Sequence, residues 1–191
     1  MGGFLALLRP GNGAVASAAV LAGALAGAGP AALEGAALLR VALACAAAFC
    51  FIGAGNALND YFDREIDKKG HPDRPVPSGR VSPRAALGVS AGLFAAALAV
   101  GAYLSLAALA VVATSALVML AYEKGLKARG LPGNAAIAYL SAVTFLFGGA
   151  VLEAPLATLP LALLGFLASL GREVAKDIED MGADADRHTL P

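Results

Sequence analysis

The chain has 191 residues, 59% hydrophobic and only 15% charged, with 14 Lys plus Arg balanced by 14 Asp plus Glu; its mean hydropathy is +0.73. Soluble domains are about 45–50% apolar, so an ordinary soluble domain is excluded, and with it a disordered chain, a collagen-like repeat and a nucleic-acid-binding surface. Tryptophan is absent while Gly, Ala and Leu dominate, as suits helices packed closely in lipid.

In chain order, six apolar runs approach the length of about twenty residues that crosses ~30 Å of hydrocarbon. The first, 13–29, follows Arg9 and Asn12. The second, 41–58, holds Cys45 and Cys50, which read as small packing residues because no ligand spacing or histidine is near. Arg40, just before this run, is expected to snorkel to the lipid headgroups. The run ends in NALNDYFDREIDKKGHPD, residues 56–73, followed by RPVPSGRVSP. Runs three and four, 85–103 and 106–122, read as one helical hairpin. A basic connection, 124–129, leads to run five, 135–152, and run six, 156–170, which passes into REVAKDIEDMGADADR, residues 172–187. The pattern of a cleaved signal peptide is missing. The expected fold class is all-α, a multi-span transmembrane helical bundle forming one continuous domain over residues 1–191.

Charge orients the bundle. Thirteen of the fourteen Lys and Arg residues lie at Arg9, in 64–84, in 124–129 and in 172–187. Six spans put all four places on one side, which the positive-inside rule makes cytoplasmic, with both termini there. The opposite connections carry Glu34 and Glu153 and little other charge.

Eleven of the fourteen acids fall in the two polar stretches. The first reads Asn56, Asp60, Asp63, Asp67 and the second Glu173, Asp177, Asp180, Asp184, so both step by four, three and four. On a helix these steps keep all four side chains on one face, and Asn59 joins the first ladder four residues before Asp63. Carboxylates stacked on one helix repel one another and are costly beside lipid unless cations neutralise them. All-oxygen donors of the Asp and Asn type suit Mg²⁺, which characteristically bridges carboxylates to substrate phosphates; two such ladders could hold a diphosphate between metals. A calcium EF-hand is excluded because its Gly-containing loop is missing. One acidic run alone is ordinarily a solvated helix end. Two with matching spacing on one side of a membrane point to function.

These residues resemble the UbiA-type intramembrane prenyltransferases, whose hallmark is two aspartate-rich motifs on two membrane helices. Asn59, Asp63 and Asp67, with Asp60 beside Asn59, resemble the first motif, and Asp177, Asp180 and Asp184 the second. DRPVPSGRVSP resembles the segment after the first motif, and Tyr122, Lys127 and LPGN resemble the basic loop and the next helix start. LRPGNGAVASAAVLAGALAG and REVAKDIED look most like the archaeal-type branch of the family that makes digeranylgeranylglyceryl phosphate. GA in EDMGAD and ADRHTLP depart from the family pattern around Asp184. Members resemble nine-helix bundles, of which this chain would supply about six, so the chain reads as incomplete at its C-terminal end.

The resemblance implies Mg²⁺-dependent transfer of a geranylgeranyl group from geranylgeranyl diphosphate to geranylgeranylglyceryl phosphate, in a membrane and without nucleic acid. Asp63, Asp67, Asp180 and Asp184 would be the catalytic carboxylates, acting as metal ligands together with Asn59, Asp60 and Asp177. Cations so placed neutralise charge on the departing diphosphate, and an apolar cavity protects the allylic carbocation until the acceptor hydroxyl attacks. Lys127 and Arg74 are candidates for diphosphate or acceptor phosphate, with Asn56, Arg9 and Asn12 as further substrate-binding candidates. Lys124 and Arg129 read as products of positive-inside bias, and His71 and His188 as exposed loop histidines.

Other classes leave different marks. An aromatic acceptor such as 4-hydroxybenzoate would keep the family and change the branch. A transporter would place its acids near the midplane rather than at helix ends. A non-catalytic remnant would keep the motifs without the full cavity, and a phosphatidyltransferase of the CDP-alcohol type would need a DG and AR pairing that is missing here.

Overall fold

A computed structural model describes the backbone of residues 2–188 and the side chains of residues 2–179. Eight α-helices follow one another: α1 Gly2–Leu8, α2 Pro10–Ala28, α3 Gly35–Phe62, α4 Arg64–Gly70, α5 Pro83–Leu104, α6 Leu106–Lys124, α7 Leu131–Ala150 and α8 Leu159–His188, with short 3₁₀ turns at Gly29–Leu33, Leu126–Arg129 and Pro155–Thr158. The described residues contain no strand.

Six helical segments are long and apolar enough to cross a membrane: Pro10–Leu33, Gly35–Phe62, Pro83–Leu104, Leu106–Lys124, Leu131–Ala150 and Pro155–Glu179. They coincide with the six apolar runs of the sequence. The difference lies at the polar ends, where the helices outlast the apolar runs. The 30 residues of α8 extend ~45 Å at 1.5 Å per residue, more than the ~30 Å hydrocarbon thickness, so helix hydrogen bonding carries α8 out of the apolar layer with its acids on it.

Local sequence fixes the boundaries. The Ser82 hydroxyl accepts from the backbone N–H of Ala85 and Pro83 opens α5, the pairing of N-cap and first-turn proline that starts helices well. Ser105 alone separates α5 from α6 and caps α6 by accepting from Ala108 N at 3.0 Å, giving the expected hairpin.

α2, α3, α5, α6 and α7 pack in sequence around a closed ring, α7 returning against α2, while α8 packs along α7. The seam between α2 and α7 is the tightest. A Cβ placed at Gly148 would lie 2.0 Å from the Val20 carbonyl oxygen, and one at Gly23 would lie 2.1 Å from that of Phe145. Only glycine lets the two backbones approach so closely. The core around Val20, Ala44, Ala47, Ala97, Ala108 and Phe147 is rich in alanine for the same reason. Large side chains are instead displayed outward, as at Leu159, Leu163, Leu164 and Leu167 of α8. Cys45 and Cys50 are free, half-buried thiols; Cys45 sits against α2, where Ser17 Oγ donates to its carbonyl at 2.9 Å.

Arg40 differs from its sequence expectation. Its Nε donates to the Val151 carbonyl at 2.7 Å and an Nη to the Leu104 carbonyl at 3.2 Å. Two helix C-termini end beside it with unsatisfied carbonyls, and these, rather than headgroups, take the guanidinium.

Candidate active site

The polar end of α3 carries the first acidic motif. α3 stops at Phe62, Asp63 is a bend, and α4 resumes at Arg64. Helical hydrogen bonding nonetheless continues through the bend, Asp63 N to Asn59 O and Asp67 N to Asp63 O, both 2.8 Å. The motif therefore keeps near-helical spacing, but its side chains divide between two edges of the stripe. Successive residues are roughly 100° apart on a 3.6-residue helix, so the neighbours Asn59 and Asp60 look in different directions.

On one edge, Asp60 is fully buried and its Oδ1 accepts from Arg9 Nη2 at 2.5 Å. Asp67, also buried, accepts from Arg74 Nη1 at 2.6 Å. Arg9 precedes Pro10 with φ 47° and ψ 66°, a left-handed conformation that costs a non-glycine residue ~1–2 kcal/mol and that the ion pair to Asp60 offsets. Asn56 lies on this edge too, its Nδ2 donating to the Leu8 carbonyl at 2.9 Å, which satisfies a carbonyl at the end of α1. Arg74 is delivered by the 73–82 loop. Val76 and Val81 of that loop are buried against Leu7 of α1, Ala57 of α3 and Ala86 of α5, and Val81 N closes the loop onto the Pro75 carbonyl at 2.9 Å.

On the other edge, Asp63 accepts from Asn59 Nδ2 at 2.9 Å and from Lys127 Nζ. Lys127 also donates to Glu123 Oε2 at 2.8 Å, and Glu123 Oε1 accepts from Asn59 Nδ2 at 3.1 Å. Burial disfavours the Lys127 ammonium, but hydrogen bonds to Asp63 and Glu123, with their negative charges, outweigh it and hold the group above the ordinary lysine range. Lys127 therefore stays charged throughout the neutral range.

Glu123 was not expected. Its side chain is 1% exposed, on α6 rather than on either motif. The signal available in the sequence was an acid at the end of an apolar run four residues before Lys127, an i,i+4 pair, outside both acidic clusters.

The second motif lies on α8, which packs along α7. Asp177 Oδ2 accepts from Asn134 Nδ2 at 2.6 Å, Asn134 being the last residue of LPGN at the start of α7. The side chains of Asp180, Asp184 and His188 lie outside the described residues. Asn12 is exposed in the first turn of α2, His71 is exposed after α4, and Lys124 and Arg129 are exposed.

Two features of this arrangement fit a divalent cation. Among the described residues, Asp60, Asp63, Asp67 and Glu123 pair with three cations, Arg9, Arg74 and Lys127, leaving one carboxylate in excess before Asp177 is added. Asp60 Oδ2 is buried without a hydrogen-bond partner, and an acid oxygen in that state marks a site short of positive charge. The donors are all oxygen, the chemistry Mg²⁺ prefers: with both Asn59 N–H groups engaged, its Oδ1 is the atom left to bind. Among the described residues no three carboxylates form a cage by themselves; the basic partners hold them apart.

Below Asn59 and Glu123, an apolar crevice runs between α3, α6 and α7, lined by Phe51, Ile52, Val111, Ser115, Val143 and Phe147. Ile52 and Ser115 stand seven and eight residues from Asn59 and Glu123, a depth of ~11 Å along the helices. The polar cluster and the crevice thus share α3 and α6, with Met119 packed against Gly55 between them.

A sequence profile described as the UbiA prenyltransferase family matches residues 16–191. The chain belongs to that family. Among UbiA relatives, a protein of Methanothrix thermoacetophila named digeranylgeranylglyceryl phosphate synthase is 43% identical over 183 residues, covering 94% of this chain and 66% of its own length. One of the same name from Natronomonas pharaonis is 43% identical over 194 residues, covering 99% and 68%. A solved structure described as concerning digeranylgeranylglyceryl phosphate synthase in membranes superposes with a TM-score of 0.85 at 34% identity, covering 96% of this chain and 64% of that one. The chain thus spans about two thirds of the length of the UbiA relatives it matches, and with six spans it is an integral membrane protein.

Proposed function

We propose that this UbiA member transfers a geranylgeranyl group from geranylgeranyl diphosphate to geranylgeranylglyceryl phosphate, forming the digeranylgeranyl ether lipid phosphate, with its polar end toward the cytoplasm. The observation that carries the reading is the polar cluster of Asn59, Asp63, Glu123 and Lys127 on the same two helices as an apolar crevice, a polar end for a diphosphate joined to an apolar side for a prenyl chain. The relatives' shared name supports the choice of donor and acceptor.

Magnesium would be held by Asn59, Asp63 and Asp67 from the first motif and by Asp177, Asp180 and Asp184 from the second. Asp67 uses one oxygen for Arg74 and keeps the other. Asp60 anchors Arg9 through Oδ1 and would offer its unpaired Oδ2 as a further ligand. Bound magnesium supplies neutralisation of the charge that develops on the departing diphosphate. Lys127 adds a fixed ammonium at the same place. The crevice shields the allylic cation from water until the acceptor hydroxyl closes the new C–O bond and releases its proton.

The test is transfer of labelled geranylgeranyl diphosphate with and without Mg²⁺, offering geranylgeranylglyceryl phosphate and 4-hydroxybenzoate in competition, for this chain and for a version extended at its C-terminus with the unmatched C-terminal part of a relative. Labelled ether lipid supports the reading. Labelled hydroxybenzoate, or no product from either version, overturns it.

A further inference from the structure

Arg9, Arg74 and Arg80 border an open polar pocket of about 490 Å³, together with Ala6, His71 and Asp73. It lies on the opposite edge of α3 from Asn59, Asp63 and Lys127. We propose that this pocket is a separate subsite for a phosphate monoester on a glycerol lipid, the headgroup of the acceptor, and that Arg80 is one of its ligands. The proposal deepens the function proposed above and rests on it for the identity of the lipid.

Three features of the pocket lead there. First, its cations are held in place from behind. Arg9 and Arg74 each give one nitrogen to a buried carboxylate, Asp60 and Asp67, while Arg80 gives Nε to Ser78 Oγ at 3.0 Å and an Nη to the Asp73 carbonyl. A guanidinium has five N–H donors, so each arginine retains at least three. Planar forks held this way are suited to the oxygens of a phosphate. Because Asp60 and Asp67 are buried, their charges lie behind the guanidinium groups, and the positive side is the one open to the pocket.

Second, the pocket is poor in metal ligands. Asp73 is its one lining carboxylate among the described residues, so a metal-bridged diphosphate finds its oxygen donors on the Asn59 and Asp63 edge, whereas a metal-free monoester finds three guanidinium groups here.

Third, the wall beside the pocket is lipid-compatible. Ala6 belongs to α1, whose Phe4 and Leu5 are exposed although α1 is too short to span a membrane. A phosphate seated on the arginines can lay its hydrocarbon along these side chains. A soluble phosphate would make no use of them.

The pocket can be read without turnover, by titrating the full chain in detergent with glycerol 1-phosphate, inorganic phosphate, or Mg²⁺ plus pyrophosphate, followed by ³¹P NMR. Arg80 is exposed, so Arg80→Ala preserves the fold; it is expected to weaken glycerol 1-phosphate binding about tenfold and to leave Mg²⁺-pyrophosphate binding unchanged. Lys127→Ala should do the reverse. Glycerol 1-phosphate should bind more tightly than inorganic phosphate, and phosphatidylglycerol nanodiscs should not displace it. Equal weakening of both ligands by Arg80→Ala, no weakening of either, or displacement by phosphatidylglycerol overturns the proposal. Transfer to 4-hydroxybenzoate would sink the proposed reaction while leaving this titration intact, so the two readings fail separately.

Discussion

The two edges of α3 at its polar end carry the same residue types and are built for different work. Asp60 and Asp67 are buried, and each answers a single arginine, Arg9 from the start of the chain and Arg74 from the following loop. Asp63 is 19% exposed and shares Lys127 with Glu123, while Asn59 ties the group together. A carboxylate sealed against one guanidinium is difficult to recruit, since separating a desolvated pair is costly. One that shares a cation with a second acid can release it without leaving that cation unpaired. The first arrangement fixes shape and spares one oxygen of each acid; the second can give up its cation to a ligand.

Substitutions on the two edges should therefore fail differently. The largest effect is expected for Asp63→Ala in a C-terminally extended chain, where Mg²⁺-dependent transfer should fall by about a thousandfold or more, as for removal of a group acting on transition-state charge, with an unchanged thermal midpoint in detergent. Residual activity within about tenfold of the parent would remove Asp63 from the site. Asp60→Ala should invert this pattern. It leaves Arg9 without its partner in a strained backbone, and denaturant unfolding should show a loss of about 2–4 kcal/mol, discounted from a fully buried pair because the Arg9 side chain is partly exposed. If Asp60→Ala proves as stable as the parent, the anchoring role is lost.

Glu123→Gln sharpens the comparison. It keeps an acceptor for Asn59 and removes the charge facing Lys127, so Mn²⁺ binding followed by electron paramagnetic resonance should weaken about tenfold, with stability changed by ~1–2 kcal/mol. A change in stability with metal affinity untouched would make Glu123 a packing residue. The smallest effect belongs to Asn12→Ala, whose exposed side chain reaches neither edge: binding of both phosphate ligands should stay within about twofold.

Much of the bundle was legible in the sequence because hydropathy over a long window is a local property. Six spans, the Ser105 hairpin and the residue types of both motifs could all be read from it. Partners were less legible. Periodicity locates Asp60 and Asp63 around one helix axis, but which cation each meets depends on where α1, the 73–82 loop and α6 end, and those are tertiary facts. Arg9 is fifty-one residues from Asp60, and Lys127 sixty-four from Asp63. The same reason explains Glu123, a single acid outside both clusters, and Arg40, whose carbonyl partners come from two other helices.

Arg40 also bears on how such a bundle can move. At the end opposite the acidic motifs, one guanidinium holds carbonyls of α5 and of the chain following α7, and parting those helices would break both hydrogen bonds at once. Among the described residues, the motif-bearing end is joined instead by ion pairs and amide hydrogen bonds between side chains, groups that a phosphate or a cation can engage in their place. Separating helices to admit a substrate should therefore cost less there than at the Arg40 end.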